Sequence, residues 1–258
     1  MSSSSSPAKF ITLLGRLAAL SVRNPRGLRY VLGHALAHSE EVVEENVDVT
    51  ILPAVAVDEL AAEQDENLNA TIWASPRVRG CITLNESIGL AVLVRKIKAR
   101  RIFEFGTYRG VSTTQLAFNL PEDGRVFTLD LPVSNLTTQF ALDTKGEVEV
   151  VVDDRKGDLI PAHLKSKITF IAEDSATFDP TPYAESMDMV FVDAAHTPEY
   201  IRNDSEKGWR MLRPGGIMAW HDCRFNSPSV IKFLRQCSYQ PRRIVGGTVA
   251  FAVKPAAP

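Results

Sequence analysis

The sequence predicts an α/β fold: a mostly parallel sheet, covered by helices on both faces, whose last strand turns antiparallel. Three observations carry this expectation. Short runs of β-branched and aromatic residues recur at 101–105, 125–131, 167–172, 187–192 and 216–220, and helix-like segments at 113–120 and 198–212 lie between them. That alternation predicts parallel strands joined by helical crossovers. The chain then ends on two β-rich runs joined by Gly246-Gly247 within 242–253, a pairing that predicts a tight hairpin.

Taken in order, the chain opens on a serine-rich tail that leads into a basic helix, with Lys9, Arg16, Arg23, Arg26 and Arg29 ahead of any acid. Arg16 interrupts its apolar stretch, which lacks a small-residue cleavage site and is too short to span a bilayer. The favoured reading is a solvated helix docked on its own domain; contact with an anionic membrane or with a second subunit of a homo-oligomer is the sharper one. Residues 40–66 carry acids and no Lys or Arg. We therefore divide the chain into an N-terminal helical extension, 1–80, and a main domain, 81–258.

Composition narrows the setting. With 258 residues and 45% hydrophobic content the chain can bury a full core, and a formal charge of −2 gives no reason to expect nucleic acid. Cys81, Cys223 and Cys237 are an odd count without paired spacing, so they read as reduced thiols of a cytoplasmic protein.

Residues 85–98 have apolar positions at helical spacing behind Asn85, a capping-type residue. The strand at 101–105 then stops at Gly106 and Gly110, four apart, before a helix resumes. Ligands on open parallel sheets bind beyond the carboxyl ends of strands, and glycines there let the backbone bend sharply and approach a ligand. Glu104 is expected to point at that rim. Asp130 ends the next strand, where an acid can accept ribose hydroxyls; Asp174 and Ser175 follow the third and could reach an adenine edge; Asp193 ends the fourth. The glycine spacing is neither a P-loop nor the dinucleotide pattern G-x-G-x-x-G. An acid at Glu104 suits a cationic group such as an α-ammonium.

The ordered stretches FEFGTYRGVST, VFTLDL, FIAEDSATF, MVFVDAAH and MLRPGGIMAWHD resemble the motifs of class I S-adenosylmethionine-dependent methyltransferases. Within them the chain is similar to the small-molecule O-methyltransferases of the catechol and caffeoyl-CoA kind, and closest in style to the macrocin and cephalosporin-biosynthesis type. The resemblance covers roughly residues 83–253. It implies a Rossmann-like, seven-stranded sheet with the last strand antiparallel. It also implies that Glu104, Gly106, Thr107, Gly110 and Ser112 surround the methionine part of S-adenosylmethionine, that Asp130 holds the ribose, that Asp174 and Ser175 flank the adenine, and that Asp193 lies near the methyl group.

Methyl transfer to a hydroxyl of a small molecule needs an aligned nucleophile and a way to lose its proton, by a general base or by a metal. Asp193 and Asp222 end adjacent strands and could share Mg²⁺ or Mn²⁺. Metal-dependent relatives carry oxygen-bearing side chains at the two positions after the fifth strand. This chain has His221 and Asp222 there, so His221 is either a ligand of a softer ion or a base. His196, three residues beyond Asp193, stands where catechol-type relatives carry a catalytic lysine. Two rival readings remain: a non-catalytic adenosylmethionine-binding module or partner subunit of the same fold, and an NAD-linked oxidoreductase, against which the hairpin and the glycine spacing argue.

Overall fold

A computed structural model describes residues 52–62, 68–132, 138–142, 145–224 and 227–256. The basic N-terminal segment lies outside the described residues. The rest of the chain, from Ile51 to Pro258, is one compact unit built on a single sheet.

The strands are β1 (Ala54–Val55), β2 (Arg101–Phe105), β3 (Arg125–Asp130), β4 (Ile168–Ala172), β5 (Met187–Val192), β6 (Leu212–Trp220), β7 (Arg242–Ile244) and β8 (Ala250–Val253), in the spatial order β1-β7-β8-β6-β5-β2-β3-β4. β8 runs antiparallel to both its neighbours, β6 and β7, and every other pairing is parallel. The antiparallel last strand is therefore as expected. The sheet has eight strands among the described residues, one more than the seven implied, because Ala54 and Val55 add an edge strand beside β7. The link between β7 and β8 is longer than a two-residue turn: residues 245–249 form it, with Gly246 at φ +87°.

The α-helices among the described residues are α1 (Val57–Ala62), α2 (Leu84–Lys96), α3 (Val111–Phe118), α4 (Lys145–Val151), α5 (Pro198–Met211) and α6 (Pro228–Gln236). α2 starts two residues earlier than its Asn85 indicates. Thr83 caps it, accepting from the Glu86 amide while the Glu86 side chain accepts from the Thr83 amide, a reciprocal box that satisfies two end amides. Pro198 and Pro228 open α5 and α6 at positions where the missing N–H costs nothing.

Strand alternation sorts the side chains of β2 onto two faces. Ile102 joins Leu90, Leu93 and Leu116 under α2 and α3, while Phe103 and Phe105 join Ile201, Val230 and Leu234 under α5 and α6. Phe103 meets the rings of Phe105, Phe178 and Tyr183 at centroid distances of 4.9 to 5.3 Å. Each face thus supplies a dry layer, and the sheet between them fixes where its strands end.

The same alternation sends Glu104 to the face of Ile102. It does not reach the rim: its side chain is fully buried, and its Oε2 accepts from Thr113 and Thr128 at 2.5 and 2.6 Å. Burial raises its pKa to about 7 against the pull of the Thr113, Thr128 and Ser112 hydroxyls.

Gly106 has a different reason for being glycine than the approach of a ligand. At φ +94° it passes so close to β5 that an added Cβ would stand 2.0 Å from the carbonyl oxygen of Asp193. Gly110, at φ +82°, would drive a Cβ into Ile160.

Two outcomes follow from these positions. Gly106→Ala is expected to lower unfolding free energy in urea by at least about 2 kcal/mol, whereas Gly215→Ala, equally left-handed but facing only the flexible end of Arg213, is expected to cost about 1 kcal/mol; equal losses would contradict the role of the Asp193 contact. For Glu104, the folded pKa of about 7 exceeds the ordinary 4.5, so the folded chain holds the extra proton between those values. Stability from this group is then full below about pH 4.5 and falls as pH rises through 7. Glu104→Gln is expected to remove a fall of up to about 3 kcal/mol from the stability-versus-pH curve.

Candidate active site

The carboxyl ends of the parallel strands open into a cleft of about 850 Å³. Its floor is the turn after β2, and its walls are the end of β3, residues 173–175 after β4, residues 193–196 after β5, and Asp222 with Arg224 after β6. Residues 79–81 and part of α4 close one side. The residues expected at a cofactor site divide accordingly: Gly106, Thr107, Ser112, Asp130, Asp174, Ser175 and Asp193 line the cleft, whereas Glu104 and Gly110 lie behind it. None of the three tryptophans lines it. Trp220 is buried with its Nε1 donating to Ser205 Oγ at 2.8 Å, and Trp209 stacks on Tyr239 at 4.0 Å.

Asp130 and Asp174 are more heavily engaged than their positions in the sequence indicate. Asp130 Oδ2 accepts from the amides of Thr107 and Tyr108 at 3.1 and 2.6 Å, so it holds the glycine turn in place. Its Oδ1 accepts from the Leu131 amide at 2.8 Å and from Lys156 Nζ at 2.9 Å. Asp174 accepts from the amides of Gln139 and Ala176, both at 2.8 Å, and from the buried hydroxyl of Tyr200 at 3.0 Å. The main-chain carbonyl of Ser175 accepts from Asn203 and Lys207 of α5. The long segment after β3 thus contributes directly to the site, through Lys156 and through α4.

Beside the glycine turn, Asp193, His196 and Asp222 offer ligand atoms that all lie within 4.8 Å of one another. His196 Nε2 stands 2.8 Å from Asp222 Oδ2, and Arg224 reaches the other Asp222 oxygen at 2.7 Å. Asp222 is held at φ +55°, a backbone conformation disfavoured for a residue with a Cβ. His221 is not one of the three side chains that converge there. Its ring is buried behind the carboxylates, outside the cleft lining, with Nδ1 3.0 Å from Asp193 Oδ1 and 3.5 Å from Asp222 Oδ2. Its Nε2 faces Glu86 Oε2 at 3.3 Å, an ion-pair distance without hydrogen-bond geometry.

The charges are consistent with that placement. Burial works against a charged His221 ring, yet Asp193, Asp222 and Glu86 outweigh it and hold its pKa well above the usual value. Burial also works against the charged forms of Glu86 and Asp222, but the histidines beside them hold both well below the carboxylate range. Asp193 goes the other way: burial raises it, and the negative charge of Asp222 adds to the effect against the pull of His221. A pair of neighbouring acids, one of which resists ionisation, is a place where a cation lowers the energy. Two carboxylates and an imidazole on the cleft wall are a donor set that suits Mg²⁺ or Mn²⁺.

Sequence reasoning missed Glu86, Lys156, Tyr200 and Arg224. Glu86 had a signal in the Thr83-x-x-Glu86 spacing, which reads as a helix cap and conceals the contact with His221. Lys156 and Tyr200 had none, because only the tertiary fold brings them to Asp130 and Asp174.

Residues 103–223 match the model of a methyltransferase domain family. Among curated proteins, the chain is 25% identical to caffeoyl-CoA O-methyltransferase 2 of Zea mays, over 78% of this chain and 69% of that one. It is 31% identical to catechol O-methyltransferase domain-containing protein 1 of Mus musculus, over 56% of this chain and half the length of the relative. Among solved structures, the O-methyltransferase TomG from Streptomyces achromogenes superimposes with a TM-score of 0.45 at 22% identity, covering 67% of this chain and 82% of that one. With the parallel sheet, its antiparallel last strand and the strand-end cleft, residues 103–223 form a domain similar to methyltransferase domains, and the chain as a whole is similar to O-methyltransferases.

Proposed function

We propose that the protein transfers the methyl group of S-adenosylmethionine to a hydroxyl of a small molecule, aided by a divalent cation held by Asp193, His196 and Asp222. The observation that carries the cation is the convergence of those three side chains on the same cleft as the glycine turn. TomG, the structural neighbour above, was solved in complex with S-adenosylmethionine, and the relatives in curated proteins are named for O-methylation. The three free cysteines suit a reducing cytoplasm, and no described helix is long and apolar enough to cross a membrane.

The donor supplies a methyl on a sulfonium, so a C–S bond breaks as the C–O bond forms, and the hydroxyl proton must leave. On this reading Thr107 and Ser112 take the methionine end. Glu104 lies beneath it, with an Oε1 that is buried and makes no hydrogen bond. Asp130 holds the ribose, whose hydroxyls can replace Lys156 as donors to Oδ1. Asp174 and Ser175 border the adenine, with Tyr200 fixing the Asp174 carboxylate. A bound cation would act as a Lewis acid on the acceptor hydroxyl, lowering its pKa. His196 lies on the cleft wall and orients against Asp222; His221, behind the carboxylates, is assigned a supporting place and not that of ligand or base.

The 2.8 Å contact between His196 and Asp222 also favours a second reading, in which that oriented imidazole takes the hydroxyl proton without a metal. Methyl transfer from labelled S-adenosylmethionine to a panel of catechols, phenols and sugar hydroxyls separates the two. The cation reading expects at least about a 100-fold loss after EDTA treatment, recovery with Mn²⁺ or Mg²⁺, and a similar loss in Asp193→Asn. Full activity in EDTA with loss in His196→Ala would select the metal-free base, and inactivity on every acceptor would favour a binding module.

A further inference from the structure

We propose that Glu86 is a positioning residue of the cation site: acting through His221, it fixes the Asp193 carboxylate toward the cleft. The inference rests on the cation reading above and concerns residues that do not themselves touch the acceptor.

The Glu86 side chain does more than cap a helix. In a capping box the acid at the third helical position needs one contact, to the cap amide, and it is ordinarily solvated. Glu86 makes that contact, with Oε2 accepting from the Thr83 amide at 2.7 Å, yet it is only 4% exposed. Burying a carboxylate is costly unless each oxygen is matched. Its Oε1 accepts from the Thr248 amide and hydroxyl at 2.9 and 2.6 Å, which ties the first turn of α2 to the link between β7 and β8. The link is shaped around this side chain: a Cβ at Gly247 would stand 2.7 Å from Glu86 Cγ. Held from three sides, Oε2 is presented to His221 Nε2 at 3.3 Å.

His221 then passes the constraint on. A carboxylate faces each ring nitrogen, Glu86 on one side and Asp193 on the other at 3.0 Å, and the ring edge meets Phe191 at 6.4 Å between centroids. The ring is 7% exposed and forms no part of the cleft lining. It therefore reaches the chemistry only by setting the orientation of Asp193, and more weakly of Asp222 at 3.5 Å. Outer partners that fix the ligands of a metal in this way typically change its affinity 10- to 100-fold when removed.

The test is Mn²⁺ binding by the full-length protein, followed by electron paramagnetic resonance with thermal melting of each sample alongside. Glu86→Gln is expected to weaken the Kd for Mn²⁺ by about tenfold. Thr248→Val removes a hydrogen bond to the same carboxylate without touching His221, and it is expected to leave the Kd within about twofold even where it lowers the melting temperature. Glu86→Gln combined with His221→Gln is expected to lose no more than the worse single variant, since both act along one line. An unchanged Kd in Glu86→Gln, equal loss in Thr248→Val, or losses that multiply in the double variant would overturn the proposal. Should Glu86→Gln fail to fold, His221→Gln carries the same readout, about tenfold weakening in support and no change against. Wild-type protein that binds no Mn²⁺ would instead remove the cation reading itself, and the positioning role with it.

Discussion

The ends of β2 and β5 touch at Gly106, where the backbone lies against the carbonyl of Asp193 with no room for a side chain. Both halves of the cleft depend on that contact. On one side it sets the turn that Asp130 holds through the Thr107 and Tyr108 amides. On the other it sets the backbone that carries Asp193, and three residues later His196. The amide of Asp193 completes the junction by donating to Phe105 O at 2.9 Å. The spacing between the glycine turn and Asp193 is thus governed by main chain packed between two dry layers.

Charge is arranged on the same frame. Glu86, His221, Asp222 and His196 form a line from the first turn of α2 to the cleft wall, with Asp193 branching from His221. Acids and histidines alternate along it, so that no buried charge is left facing only apolar neighbours. Removing one member strands the next, which makes the line specific in geometry even where its net contribution to stability is small. Glu104 is the contrasting case: an acid buried among hydroxyls, without a cationic partner, whose pKa consequently rises.

Much of the fold was legible in the sequence. Hydrophobic runs located β2 and β5, and the alternation of strands with helices identified the parallel sheet. Gly246 and Gly247 announced the antiparallel end. The edge strand at Ala54–Val55 was not legible, because two residues carry no period and only β7 gives them a partner. Within the site, the acids at strand ends were found by position, and Asp130, Asp174, Asp193 and Asp222 do line the cleft. What their side chains do was not. Glu104 turned inward on the parity of its strand. His221 went behind Asp193 because β6 continues into it, its amide donating to Val192 O. Glu86 is remote in sequence from His221, and only the tertiary fold brings the two together.

The cation site we propose is formed by Asp193, His196 and Asp222 at the side of the cleft. An anomalous difference map from crystals grown with Mn²⁺ and S-adenosylhomocysteine tests it most directly. A single strong peak is expected among those three side chains, with the nucleoside lying against the glycine turn and Asp130. A nucleoside in that cleft with no anomalous peak beside Asp193, or a peak bound by other residues, would contradict it.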